Sequence, residues 1–263
     1  MKRSIVLFAL ALCAVLARAE DKVDIKAKHA EGDACDVRTT ITMKLSGTVQ
    51  GQPISTKHDG TEEYREKTVE VKDGQPARAE RTYKANKQTL QQSMGMAPPQ
   101  TQSQENPIVG KTVTLVRKEG KVQLETRPEA GELDEGDLDF CTDDTEVLLP
   151  GEPVAVGGQW EVSNEKLTAA FGATGMKVAS AKCTLEEIAE RDGTRVARIK
   201  VEVAVKGEEG GAKMEGELSG PFLFDLTAGR PVSISLKGKM KVDMGMAVLE
   251  GPLETETSYT PVK

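Results

Sequence analysis

Apolar and polar residues alternate along much of this chain, most clearly from Val232 to Val248. Every even position there is apolar or glycine: Val232, Ile234, Leu236, Gly238, Met240, Val242, Met244, Met246 and Val248. The odd positions include Ser233, Ser235, Lys237, Lys239, Lys241 and Asp243. Successive side chains of a strand point to opposite faces, so this pattern predicts a β-strand with one face buried and one wet. At about 3.3 Å per residue it would run roughly 55 Å, well beyond the usual strand. Sheets twist, so such a strand has to coil around something or break at Gly238 or Gly245.

Other segments repeat the pattern. Val37, Thr39, Ile41, Met43, Leu45, Gly47 and Val49 share one face, with Arg38, Thr40, Thr42, Lys44 and Ser46 on the other. A short first strand is expected around Val23 to Lys28, and a turn at Asp59-Gly60. Asp73-Gly74 joins two strand-like runs as a hairpin, and Glu119-Gly120 a further pair. Residues 91–107, rich in Gln and Pro, read as an exposed mobile loop. In the second half, a strand around Lys177–Ala189 turns at Asp192-Gly193 and returns with Ala197, Ile199, Val201, Val203 and Val205 inward. Phe222, Phe224 and Leu226 follow, then a turn at Ala228-Gly229. Helical spacing occurs from Ser163 to Gly172, with Ser163 as cap and Leu167, Ala170 and Phe171 on one face. Trp160 is expected to plug one end of the core. The fold class is therefore all-β and mainly antiparallel: a curved meander sheet or half-barrel (a β-clamp) with one short helix.

The chain begins with Lys2 and Arg3, an apolar run from Ile5 to Leu16, and Ala17-Arg18-Ala19. This is the form of a secretory signal peptide, with cleavage expected after Ala19. Lipidation at Cys13 is the alternative, but Leu12 is bulky where that signal wants a small residue. No later stretch is apolar enough to span a bilayer, so residues 20–263 are expected to form a single exported, soluble, β-rich domain, periplasmic or extracellular. Loss of Lys2, Arg3 and Arg18 takes the net charge from −7 to −10. An acidic chain is a poor match for nucleic acid, which demands basic patches. Aromatic content is only 3%, so the core has to be aliphatic.

Candidate chemistry is sparse. Three cysteines lie after the signal segment: Cys35, Cys141 and Cys183. Export permits a disulfide, and Cys141 with Cys183 is the pairing considered, three buried thiols being the alternative. The acidic loop at 129–146 fails the EF-hand template, since Thr142 and Leu148 fall where glycine and glutamate are required. His29, Glu31, Asp33 and Cys35 form an imaginable metal group, though an exposed turn is the commoner meaning of such a cluster. Both histidines after the signal segment, His29 and His58, sit in turn-like surroundings without a nucleophile motif. No phosphate loop or dinucleotide fingerprint occurs. The expectation is no enzyme, no cofactor and no metal.

Pro153-Val154-Ala155-Val156-Gly157-Gly158-Gln159-Trp160, with the later Gly220-Pro221-Phe222-Leu223-Phe224-Asp225-Leu226-Thr227-Ala228-Gly229-Arg230, resembles an uncharacterised family of exported bacterial β-rich proteins. Its members share a V-x-V-G-x-x-W segment and an F-D-x-x-x-G-R hairpin. The resemblance implies architecture and no activity. In general shape that family is similar to lipoprotein-carrier clamps, half-barrels whose concave face holds acyl chains, a fold-level analogy. Methionine side chains adapt to varied apolar partners. An apolar ligand or lipid is thus expected in the concave sheet against Met240, Val242, Met244, Met246, Phe222 and Phe224, with Met94 and Met96 on a lid. Core packing is the ordinary alternative for those methionines. A different class of function is a structural or interaction component of the cell envelope, with an envelope protein as partner.

Overall fold

Alternation along the sequence becomes strand after strand in the structure, a computed structural model that describes residues 22–119, 121–126, 145–171, 176–191, 193–209 and 211–262. The strands are β1 (Ala34–Val49), β2 (Gln52–Lys72), β3 (Gln75–Met94), β4 (Gln100–Glu105), β5 (Thr112–Lys118) and β6 (Lys121–Thr126). A 3-10 turn (Thr145–Leu148), β7 (Gln159–Val162) and helix α1 (Asn164–Phe171) follow. The second half is a meander of β8 (Met176–Arg191), β9 (Thr194–Glu209), β10 (Ala212–Asp225), β11 (Arg230–Asp243) and β12 (Val248–Val262).

All twelve strands form one antiparallel sheet in the order β6-β5-β3-β2-β1-β12-β11-β10-β9-β8-β7, with β4 beside β3. The sheet does not close on itself. It curls far enough that α1, packed on β8 near one edge, also touches β6 at the other. Glycines on the inner face permit the curl. A Cβ on Gly238 would lie 1.8 Å from the Glu217 carbonyl oxygen, and one on Gly251 would lie 1.8 Å from that of Lys44. Only hydrogen lets the strand backbones approach so closely.

The 232–248 periodicity is interrupted at Gly245. β11 passes straight through Gly238 and ends at Asp243, whose Oδ1 accepts from the Gly245 N–H at 2.8 Å. The Met244 N–H then donates to the Ala247 carbonyl at 2.9 Å, and Gly245 takes φ +76°. The reversal shifts the apolar phase, so Leu249 is buried while Met244, Met246 and Val248 are exposed.

Three other expectations are corrected. Asp59-Gly60 lies inside β2, because Gln50 and Gly51, both at positive φ, have already reversed the chain. Asp59 is instead an outward residue, accepting from the Thr42 hydroxyl at 3.1 Å and paired with Lys57. Residues 91–107 are no loop: β3 continues to Met94 and pairs with β4, whose side chains are all exposed. Residues 23–28 are not a strand but a strap. Val23 bridges Val154, Ile25 is buried, the Lys28 N–H donates to the Gly229 carbonyl, and Gly32 reaches Thr68.

Helix α1 begins where expected, with Ser163 Oγ accepting from the Lys166 N–H at 3.4 Å, and buries Leu167. Trp160 is half-buried against the core and donates from its indole to the Leu148 carbonyl at 2.9 Å. The main core gathers Phe222, Phe224, Ile199, Val201 and Leu185 with Ile25, Leu148 and Leu167. A second cluster holds Val37, Tyr64, Tyr83, Ile108, Val113 and Leu115. Among the described residues no helix is long and apolar enough to cross a membrane. The signal segment with Cys13, and the acidic segment through Cys141 and Asp144, lie outside the described residues.

Candidate functional site

Strand register determines what the inner face presents. One rung crosses the sheet as Asn86, Glu62, Thr39, Thr257, Ile234 and Phe222. The next reads Gln88, Gly60, Ile41, Thr255 and Leu236, and the one beyond it Leu90, His58, Met43, Leu253, Gly238, Leu218, Val203 and Ala181. Across the first two rungs the inner face is mainly polar over β1–β3 and β12, Ile41 excepted, and apolar over β10 and β11, whereas the third rung is apolar but for His58 and Gly238.

Between these walls lies a cavity of about 540 Å³. Ala181, Val203, Val205, Leu218, Ile234 and Leu236 line one side, and Thr39, His58, Glu62, Asn86, Gln88 and Thr257 the other. Ile41 sits on the floor and is 37% exposed although it points inward. The reason is local. Its neighbour across β2 is Gly60, which has no side chain to cover it, and its neighbour across β12 is the short Thr255.

One end of the cavity is charged and pinned. His29 Nε2, on the strap, meets the Glu146 carboxylate of the 3-10 turn at 3.1 and 3.2 Å. Burial disfavours the charged imidazole, but the Glu146 hydrogen bond and charge, with Glu66 behind, outweigh it and raise the pKa. The Thr145 and Tyr259 hydroxyls lie 3.0 Å apart. Arg81, 7% exposed, donates to Glu66 at 2.6 Å and lies over the Tyr64 ring, 4.7 Å from its centroid. Cys35 also lines this end, and burial followed by the Glu66 charge pushes its thiol up to about 11, so it stays protonated near neutrality.

No family model matches the sequence, and no curated protein matches it. Among solved structures, one likeness is to lipovitellin, in a study of its lipid–protein interactions, at TM-score 0.44 and 8% identity over 89% of this chain and 25% of that one. The chain thus spans about a quarter of the lipovitellin chain. DynF, from the dynemicin biosynthesis pathway of Micromonospora chersina, gives TM-score 0.21 and 10% identity over 92% of this chain and 86% of its own. A DUF1329 family protein from Desulfovibrio piger gives 0.15 and 10% over 87% and 84%. The likenesses are remote.

The two segments that carry the family resemblance build turns. Gly157 takes φ +85° ahead of Trp160, and Asp225 Oδ1 accepts from the Thr227 and Ala228 N–H groups at 2.8 Å each.

The six ligand-binding candidates fall elsewhere. Phe222 and Phe224 are fully buried, with ring centroids 6.1 Å apart at 74°, and serve as core. Met240 is 2% exposed and Val242 packs partly buried on the same cluster. Met244 and Met246 point to solvent from the β11–β12 turn. None of the six lines the cavity. Met94 and Met96 are exposed at the β3–β4 hairpin. Cys183 is a fully buried free thiol whose pKa burial pushes up to about 12, and Cys141 lies outside the described residues. His29 is no exposed turn residue: it finds a partner 117 positions away. His58 sits within β2 and lines the cavity. Among the described residues no group of three metal-ligating side chains of His, Cys, Asp or Glu assembles.

Proposed function

We propose that this protein is a non-catalytic binding protein that holds an apolar or amphipathic small molecule on the concave face of its sheet. The observation that carries the reading is the solvated floor around Ile41. A hollow of about 540 Å³, with an aliphatic wall and an inward isoleucine left 37% exposed, has the size and composition of a small-molecule pocket. Burying exposed apolar surface stabilises a complex by about 25 cal/mol per Å². The basic, apolar and small-residue segments at the start of the chain support action outside the cytoplasm, where such a carrier would meet envelope lipids.

The test is direct. Purified protein is incubated with a total lipid extract, desalted, and measured by native mass spectrometry. A discrete added mass is expected. A bare chain mass after incubation with every extract fraction overturns the reading.

A further inference from the structure

The cavity's two walls differ across its middle, and that bears on what fits. Thr39, Thr257 and Asn86 face it from one side, while Val203, Leu218 and Leu236 face it from the other. The division follows strand position on the rung Asn86, Glu62, Thr39 and Thr257 against Ile234 and Phe222, and on the next, where Gln88, Gly60 and Thr255 flank the apolar Ile41 and face Leu236. A straight hydrocarbon chain is apolar all round. Pressed into this cavity, it would strip water from the threonine hydroxyls and the carboxamides and give no hydrogen bond in return. The same polar wall acts against such a ligand even where the opposite wall favours it.

Building on the cavity-binding reading, we propose that the ligand class is a rigid facial amphiphile: a molecule with hydrocarbon on one face and hydroxyl or amide groups along the other. Its apolar face lies on Leu218, Leu236 and Val203, and its polar face meets Thr39, Thr257 and Asn86. Asn86 is 5% exposed and its Nδ2 donates to Glu62 Oε2 at 3.4 Å, so its carboxamide is held in place and brings an acceptor oxygen to the polar wall. Thr39 and Thr257 form a hydroxyl pair 3.0 Å apart at the centre of the polar wall. A flat ligand satisfies both walls at once, which a cylindrical one cannot.

Two zwitterionic probes separate shape from charge: CHAPS, a steroid with a hydroxylated face, and dodecylphosphocholine, a straight chain. Each is titrated below its micellar concentration by isothermal calorimetry against the full-length protein. CHAPS is expected to bind at least about 10-fold more tightly. In Thr39→Val/Thr257→Val, which replaces both partners of one hydrogen bond with groups of similar shape, the preference is expected to fall to within about 3-fold, with thermal stability nearly unchanged. Equal or tighter binding of dodecylphosphocholine overturns the inference while leaving the cavity reading intact. Binding of neither probe overturns the inference, and if lipid extract also adds no mass, the cavity reading falls with it. A CHAPS preference that survives unchanged in the double-valine variant overturns the assigned polar face, and if that variant does not fold, Thr257→Val alone gives the same comparison.

Discussion

Replacing Gly60 with leucine should stabilise the protein and empty it of ligand at the same time. A Cβ at position 60 meets only the Ile41 Cβ, at 3.8 Å, an ordinary contact, and Gly60 is not among the residues at positive φ. The strand therefore accepts a side chain there without strain. Relief of glycine's entropic cost in a strand contributes about 0.5–1 kcal/mol. Covering one methylene equivalent of Ile41 adds about 0.8 kcal/mol. A gain of about 1.5 kcal/mol corresponds to a rise in Tm of roughly 3–6 °C for a domain of this size. The same leucine occupies the floor of the cavity and removes about three methylene-sized contacts from a ligand. At about 0.8 kcal/mol each, binding weakens by about 2.4 kcal/mol, or roughly 50-fold. Calorimetry on wild type, Gly60→Ala and Gly60→Leu, with titration of the ligand found by mass spectrometry, reads both effects. A fall in Tm would show that the hollow is filled. Unchanged affinity in a folded Gly60→Leu protein would place the ligand elsewhere.

Other substitutions probe the frame. The His29 pKa is raised in the folded state, so the stability from its pair with Glu146 is present below the ordinary histidine value and is lost as pH rises through the folded one. The stability gap between wild type and His29→Gln, from urea melts, should be about 1–2 kcal/mol near pH 6 and shrink by pH 9; a gap that widens contradicts the pairing. Gly238→Ala places a methyl 1.8 Å from the Glu217 carbonyl oxygen and should cost about 3 kcal/mol or prevent folding, seen in denaturant melts and in expression yield. Phe222→Ala should cost about 3–5 kcal/mol yet leave the affinity of the folded fraction within about 2-fold, since Phe222 is core. Met244→Ser/Met246→Ser should move stability by less than about 0.5 kcal/mol, a larger loss showing that the turn packs on the sheet.

The aliphatic half of the sheet was legible because its two faces contrast. Ile199, Val201, Val203 and Val205 alternate with Arg198, Lys200, Glu202 and the small Ala204, and the register confirms that they share a face. Strand β2 gave no such contrast. In β2 the inward residues are Thr56, His58, Gly60, Glu62, Tyr64 and Glu66, and the outward ones are equally polar, so periodicity is silent there. An Asp-Gly pair in that silent stretch then looks like a turn, when it is an open place on the cavity floor. The methionines misled for a related reason. Even spacing persists through Met244 and Met246, but Asp243 and Gly245 form a tight reversal that moves both to solvent. The His29–Glu146 pair joins positions 117 apart and leaves no local trace. The two faces of β1 and the cap at Ser163 were read correctly because each depends only on nearby residues.

The pairing of β1 with β12 has a kinetic consequence. Each of the other neighbours in the sheet is linked through a hairpin or a modest loop, whereas Thr39 and Thr257 meet across 218 residues of chain. Closing a loop of that length costs about 5 kcal/mol in chain entropy, against about 1 kcal/mol for a short hairpin. Two meanders can therefore form early, each zipping outward from its turns, and their union along β1 and β12 becomes the slow, high-contact-order event. Every rung that spans the cavity crosses that seam. Ligand capacity thus arises at the closing step of folding, and the time course of ligand uptake by refolding chains measures when the two halves join.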